Sequence, residues 1–262
     1  MMRRLLVENI PREQVVLSGE QHHRVTRVLR LRQGDALRIF DGRGNEYEAT
    51  VESADRAQAT VRVTRAVPPL PEPRVKITLF QSVPRGDAME RVIQKCVEVG
   101  VSQIVPVITG RTVARPSEEG AKLARWRTIA LHAVEQSGRA WLVPVADPID
   151  AEAVAARLPS FDLALVPHVS QPAGVCHPEH REESPFVDSA SASSLRSMLA
   201  SHGSVASLAI VIGPEGGFST EEIDGFVAAG ARIVSLGPRV LRSETAGLVA
   251  ATIVLYHYGE MG

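Results

Sequence analysis

The chain has only two cysteines, Cys96 and Cys176, and they stand in unlike surroundings. That scarcity excludes a disulfide framework and a zinc site of regular cysteine spacing. No apolar run approaches the ~20 residues that a membrane-spanning helix needs. The opening Met1-Met2-Arg3-Arg4 leads only into Leu5-Leu6-Val7, too short for the apolar core of a secretory leader. A cytoplasmic protein is therefore expected. Net charge is almost absent too, at -1, and the total says nothing about nucleic acid. Its distribution is uneven. Residues 1–74 hold 13 arginines, no lysine and 10 acids, a balance of +3 that leaves -4 for the rest. Such a portion is compatible with RNA contact and equally with an ordinary solvated surface.

At 262 residues with 44 % apolar content, the chain can bury a sizeable core unaided, and its length suits a small domain followed by a larger one. The first part reads as a β-rich unit. Residues 35–40, 46–52 and 59–64 alternate apolar and polar side chains, separated by the glycine-rich turn Asp41-Gly-Arg-Gly-Asn45 and by Ser53-Ala-Asp-Arg56. Pro68-Pro-Leu-Pro-Glu-Pro73 cannot continue a sheet or a helix, which predicts domains over 1–70 and 74–262. From Val75 onward strands and helices alternate. Short apolar strands are expected at 75–83, 103–108, 161–166, 207–212 and 232–236, with helices near 88–99 and 123–137. Strands of that kind suit a parallel sheet covered on both faces. Asp87 and Glu90 have capping-box spacing, and Cys96 falls on the apolar stripe of Met89, Val92, Ile93 and Val97, where it reads as core. Residues 170–194 break the rhythm with Pro, Ser, Glu and His, and read as a solvated insertion. Its Cys176-His177-x-x-His180 matches no common zinc pattern, so no metal is expected.

Two turns carry the chemistry. In Leu208-Ala-Ile-Val-Ile-Gly-Pro-Glu-Gly-Gly-Phe-Ser219, a buried strand ends at Gly213 and a helix follows Ser219, whose capping-box partner is Glu222. Glycines beside a helix start let backbone amides approach a ligand, although the same pattern also serves as a plain tight connection. Neither a Walker loop nor Gly-x-Gly-x-x-Gly is present, so a conventional nucleotide site is not indicated. The second turn, Leu236-Gly-Pro-Arg-Val-Leu-Arg-Ser-Glu-Thr-Ala246, places Arg239, Arg242 and Glu244 in a short loop between buried elements. Those side chains must meet solvent, a partner or a substrate.

This pair of motifs resembles the signature of the RsmE family, knotted SPOUT-class methyltransferases that make N3-methyluridine in 16S ribosomal RNA. Other stretches agree in order: His22-His23-Arg24-Val25 with Arg27-Val-Leu-Arg30, Arg85-Gly-Asp-Ala-Met-Glu90, and Glu135-Gln-Ser-Gly-Arg139. The resemblance covers nearly the whole chain, and the insertion at 170–194 is its clear departure. It implies an α/β protein with an N-terminal PUA-like β-barrel and a trefoil-knotted methyltransferase domain built on a mainly parallel sheet. It implies S-adenosylmethionine as cofactor. The donor would lie against Leu165, Val166 and Pro167, against Gly213, Pro214, Glu215, Gly216 and Gly217, and against Leu236, Gly237, Val240, Leu241, Arg242 and Thr245. Arg24, Arg27, Arg30 and Arg85 would meet RNA. It also implies a homodimer, with Leu248, Val249 and Ile253 of the last helix at the interface. The reaction must remove a proton from N3 while charge spreads over the ring carbonyls. Arg242 is expected to stabilise that charge, and Glu215, Glu244 or water to take the proton. Rival readings are an RNA-binding ribosome-assembly factor without activity, a nucleotide-dependent α/β enzyme, and a methyltransferase of the same class acting on another RNA.

Overall fold

Alternating side chains make the first part of the chain a sheet. In a computed structural model that describes residues 2–11, 13–112, 119–168 and 193–262, it begins with β1 (Arg4–Leu6), β2 (Gln14–Ser18) and α1 (Gly19–His23). A π-helical turn, Arg24–Val28, follows, and then β3 (Ala36–Phe40), β4 (Glu46–Ala54) and β5 (Gln58–Val67). The strand order is β1-β3-β4-β5-β2, antiparallel except for β1 with β3. This sheet curls into a half-barrel. Its inner face carries Leu17, Leu37, Ile39, Val51 and Val61, closed by Val25 from the π turn.

The boundary between the two units falls at Glu72/Pro73, close to the proline run, but the first unit also contains Leu131–Leu142. A division into 1–70 and 74–262 misses that segment. The cause is a set of contacts far apart in sequence. Arg4, buried, donates from Nη1 to the carbonyls of Val134 (3.1 Å), Glu135 (3.3 Å) and Arg139 (3.0 Å), and from Nε to Glu46 (3.0 Å). Arg139 in turn pairs with Glu72, Nε to Oε1 at 3.0 Å.

The second unit contains β6 (Lys76–Ser82), α2 (Ala88–Val99), β7 (Gln103–Ile108) and α3 (Glu119–Ser137), whose residues from Leu131 belong to the first unit. It continues through β8 (Ile149–Asp150), α4 (Ala151–Arg157), β9 (Leu163–Pro167), β10 (Ser193–Ser194) and α5 (Leu195–Ser201). β11 (Ser207–Ile212), α6 (Thr220–Ala228), β12 (Arg232–Ser235) and α7 (Ser243–His257) complete it. The sheet order is β10-β12-β9-β11-β6-β7-β8, and every neighbouring pair is parallel. Although β12 is the last strand in sequence, it lies inside the sheet, between β9 and β10.

Three expectations change. Residues 193–194 are not insertion: they pair with Val234 and Ser235, and Ser194 caps α5 by accepting from Ser197 N (3.1 Å). The rest of the insertion, with Cys176, His177 and His180, lies outside the described residues. Asp87 precedes α2 but makes no side-chain cap: the Glu90 amide donates to the Asp87 carbonyl (3.1 Å), and the Glu90 side chain is held by Arg125 (2.8 Å). Helix α3 begins at Glu119, earlier than its apolar pattern indicates. Cys96 is core: burial pushes its thiol up to about 12, the opposite of what a nucleophile needs. No helix among the described residues is long and apolar enough to cross a membrane.

Candidate functional site

Parallel strands present their carboxyl ends along one edge, and loops at that edge are where open α/β sheets bind ligands. Here β9 is flanked by β11 (Leu165 opposite Ile210) and by β12 (Val166 opposite Ile233), so the carboxyl ends of three strands are neighbours. The amide of His168 donates to Val234 O (2.9 Å), carrying the β9–β12 contact past the end of the strand. Leu165 and Val166 are fully buried sheet core, and Pro167 is the first of the β9 candidates to emerge from it. Sequence alone could not make that distinction, since all three continue one apolar strand.

The loop after β11 turns sharply at Gly217, whose φ of +71° is left-handed and whose amide donates to Pro214 O (2.9 Å). Phe218 folds back under Gly213, where a Cβ would stand 3.2 Å from the ring. The predicted capping box is present: Ser219 Oγ accepts from Glu222 N (3.2 Å), and Glu222 Oε2 accepts from Ser219 N (2.8 Å). Glu222 Oε1 also accepts from Gly110 N (3.2 Å). Arg111 Nη1 donates to Gly216 O (2.8 Å), so the loop after β7 holds this glycine loop in place. Glu215 accepts the backbone amide of Arg85 (3.0 Å). That bond ties the glycine loop to the start of the loop after β6.

The loop after β12 is more open. Gly237 has φ +117°, and its amide donates to Ser235 Oγ (3.2 Å). Val240 is 76 % exposed, the highest value for any large apolar residue among those described, and Leu236 and Leu241 are half-buried beside it. Gly237, Arg239 and Thr245 are exposed. The side chain of Arg242 is 85 % exposed, with Nη1 at 3.9 Å from Glu244 Oε1. Arg91 approaches the same carboxylate at 4.0 Å.

One chain of hydrogen bonds joins the two loops. Ser243 Oγ donates to Gly213 O (2.7 Å) and accepts from Gln81 Nε2 (2.9 Å), a side chain wholly buried in β6. Gly247 of α7 leaves room for that amide, because a Cβ there would sit 2.8 Å from Gln81 Oε1. Gln81, Arg91 and Arg111 were not legible as site residues, since each lies far in sequence from the motifs it serves.

The arginines expected at RNA divide. Arg27 and Arg30 are exposed, and Arg30 adopts φ +54°, a left-handed conformation that a non-glycine residue holds at a cost. Arg24 is turned inward: its guanidinium pairs with Glu135 and is 15 % exposed. Burial pushes the Glu135 carboxyl up, and Arg24 pulls the other way. To meet a phosphate, Arg24 would have to give up this partner. Arg85 is exposed in the second unit.

A family model described as an RNA methyltransferase domain matches residues 71–255, and one described as an RNA methyltransferase PUA domain matches 17–64. Ribosomal RNA small subunit methyltransferase E of a Synechocystis strain is 33 % identical over 95 % of this chain and 76 % of its own length. The Bacillus subtilis protein of that name is 29 % identical over 92 % of this chain and 89 % of its own. A crystal structure of the Neisseria gonorrhoeae protein, bound to S-adenosylmethionine, superposes with a TM-score of 0.83 at 30 % identity, covering 97 % of each chain. A Legionella pneumophila methyltransferase in complex with the same cofactor gives 0.81 at 31 % identity, over 97 % of this chain and 96 % of that one.

Proposed function

The chain belongs to the RNA methyltransferase family that includes ribosomal RNA small subunit methyltransferase E, and from that membership we propose that it methylates N3 of a uridine in small-subunit ribosomal RNA, with S-adenosylmethionine as donor. The observation that carries the reading is the joining of two glycine-proline loops at the edge of a parallel sheet through Ser243 and Gly213. The residues suit the donor. Exposed Val240, with half-buried Leu236 and Leu241 in the same loop, offers apolar surface for an adenine, and Gly217 and Gly237, with nothing within 4 Å of an added Cβ, leave space for close approach of the backbone.

When bound, the donor supplies an electrophilic methyl group on a sulfonium sulfur. The protein's own task is to hold the uracil edge in line and to manage charge. As N3 forms its new bond it gives up its proton, and negative charge spreads over the two ring carbonyls. Arg242 is assigned to stabilise that charge, an assignment supported by a guanidinium that is held only loosely by Glu244. With Glu215 engaged by Arg85, Glu244 is the carboxylate assigned to accept the proton. The pyrimidine must leave any stack to reach the loops. We place the protein in the cytoplasm with the ribosomal subunit, as a homodimer. Leu248, Val249 and Ile253, half-buried on α7, and exposed Tyr256 would supply apolar surface to the second copy.

Gly217→Val tests the donor site. At φ +71° a β-branched residue is strained whatever the space around it, by about 1–2 kcal/mol. The loop is expected to shift, weakening donor binding about tenfold by calorimetry. Gly34→Val, at φ +89° in the first unit, imposes similar strain away from the loops and should leave donor affinity unchanged. Equal affinities in both variants would remove residues 213–217 from the donor site.

A further inference from the structure

The turn between β3 and β4 is covered by two apolar side chains from a distant part of the chain. Gly42 and Gly44 have φ +75° and +98°. A Cβ on Gly42 would stand 2.7 Å from Leu142 Cγ, and one on Gly44 would stand 2.6 Å from Cε2 and Cζ2 of the Trp141 indole. Only glycine allows these approaches. The backbone is fixed as well: Gly44 N donates to Ala140 O (3.1 Å), Leu142 N donates to Gly42 O (3.0 Å), and Arg43 and Trp141 form an antiparallel bridge. This packing covers one side of the two residues and leaves the rest in water, with Trp141 47 % and Leu142 44 % exposed.

Arg43 projects from the middle of the same turn and is exposed. The nearest carboxylate in sequence, Asp41, is turned to other donors. It accepts from Arg43 N (2.8 Å), Asn45 N (3.1 Å) and Asn45 Nδ2 (2.6 Å). The result is a rigid aromatic and aliphatic surface with a cation at its side. The turn does not need an indole to close, because its backbone bonds and positive-φ glycines suffice.

We propose that Trp141, supported by Leu142 and Arg43, is a stacking platform for one unpaired nucleobase of the RNA, with Arg43 meeting the adjacent phosphate. The inference rests on the RNA methyltransferase reading and adds to it a contact made by the segment Leu131–Leu142. Every base has a π face, so an exposed ring binds single-stranded RNA with little regard for sequence. A ring already fixed by its glycine turn loses little freedom when a base covers it. Trp and Arg also serve protein interfaces, so a second copy of the chain is the competing occupant that the test separates from RNA.

The test uses the full chain in a Trp126→Phe background, which leaves Trp141 as the sole tryptophan. Titration with a single-stranded uridine-rich RNA oligonucleotide, and then with small ribosomal subunits lacking the methyl group, should quench Trp141 emission and shield it from acrylamide. With wild-type Trp126, Trp141→Ala should weaken RNA binding about tenfold or more without changing its salt dependence. Trp141→Phe should restore most of the affinity. Arg43→Ala should lower the salt slope by about 0.7, one phosphate contact to a single strand. Donor affinity should be the same in all. If wild-type protein methylates the subunit and Trp141→Ala binds RNA equally well, the platform is wrong and the function stands. If wild-type protein neither binds nor methylates RNA, the underlying reading fails first. If Trp141→Ala instead converts a dimer to a monomer while RNA leaves Trp141 emission unchanged, the surface belongs to a second copy and the proposal is overturned.

Discussion

Arg242→Ala is expected to lower the rate of methyl transfer by about 100- to 1,000-fold, the scale of losing one hydrogen-bond donor to a developing anion. Little else should change. The side chain is 85 % exposed and its contact to Glu244 is 3.9 Å, so the fold does not depend on it. What α7 requires of this residue is its carbonyl, which accepts from Thr245 N and Ala246 N (2.9 Å each) and survives the substitution. RNA affinity should therefore be close to wild type, and the loss should fall on turnover. Arg242→Lys keeps the charge without the planar fork and should recover only part of the rate. The readout is a reverse-transcription stop, because a methyl on N3 blocks the pairing edge. A full-strength stop from Arg242→Ala at wild-type rate would remove Arg242 from the chemistry.

Glu135→Ala is expected to cost about 3–5 kcal/mol of stability, the range for stranding one partner of a buried ion pair. Arg24 would be left almost enclosed, and its Nε already lacks a partner among the described residues. The Leu6 amide would lose its acceptor as well, Glu135 Oε1 at 3.3 Å. Glu135→Gln keeps a carbonyl for Leu6 and should fall between. Glu52→Ala provides the contrast, since its partner Arg62 is 68 % exposed and surface pairs contribute little. Urea denaturation followed by circular dichroism compares the three. Equal midpoints for Glu135→Ala and Glu52→Ala would mean that the segment 131–142 is not anchored through this pair.

The same contrast between local and distant contacts separates what the sequence discloses from what it hides. Both glycine-proline turns were legible because their signals are local: an apolar strand ending in glycine and proline and, for the first, the capping box of Ser219 and Glu222. Strand periodicity in 36–67 was legible for the same reason. The assignment of Leu131–Leu142 to the first unit was not, because it depends on Arg4 reaching carbonyls about 130 positions away. Nor was the fate of Arg24, which shares a basic stretch with Arg27 and Arg30 yet points at a carboxylate from α3. Glu90 shows the converse error. Its spacing from Asp87 satisfies a capping box, but Arg125 offers it a stronger, charged partner. Leu165, paired with both neighbouring strands, and Val166, paired with β12, are fully buried, which their shared apolar run does not distinguish from Pro167 at the strand end.

The central claim concerns which atom receives the methyl group, and mass spectrometry of nucleosides measures it directly. Small ribosomal subunits lacking the modification are incubated with the protein and isotopically labelled S-adenosylmethionine, then digested to nucleosides. The account predicts label in one species that coelutes with N3-methyluridine, at up to one per subunit. Label on a ribose, on another base, or in no nucleoside at all would contradict it.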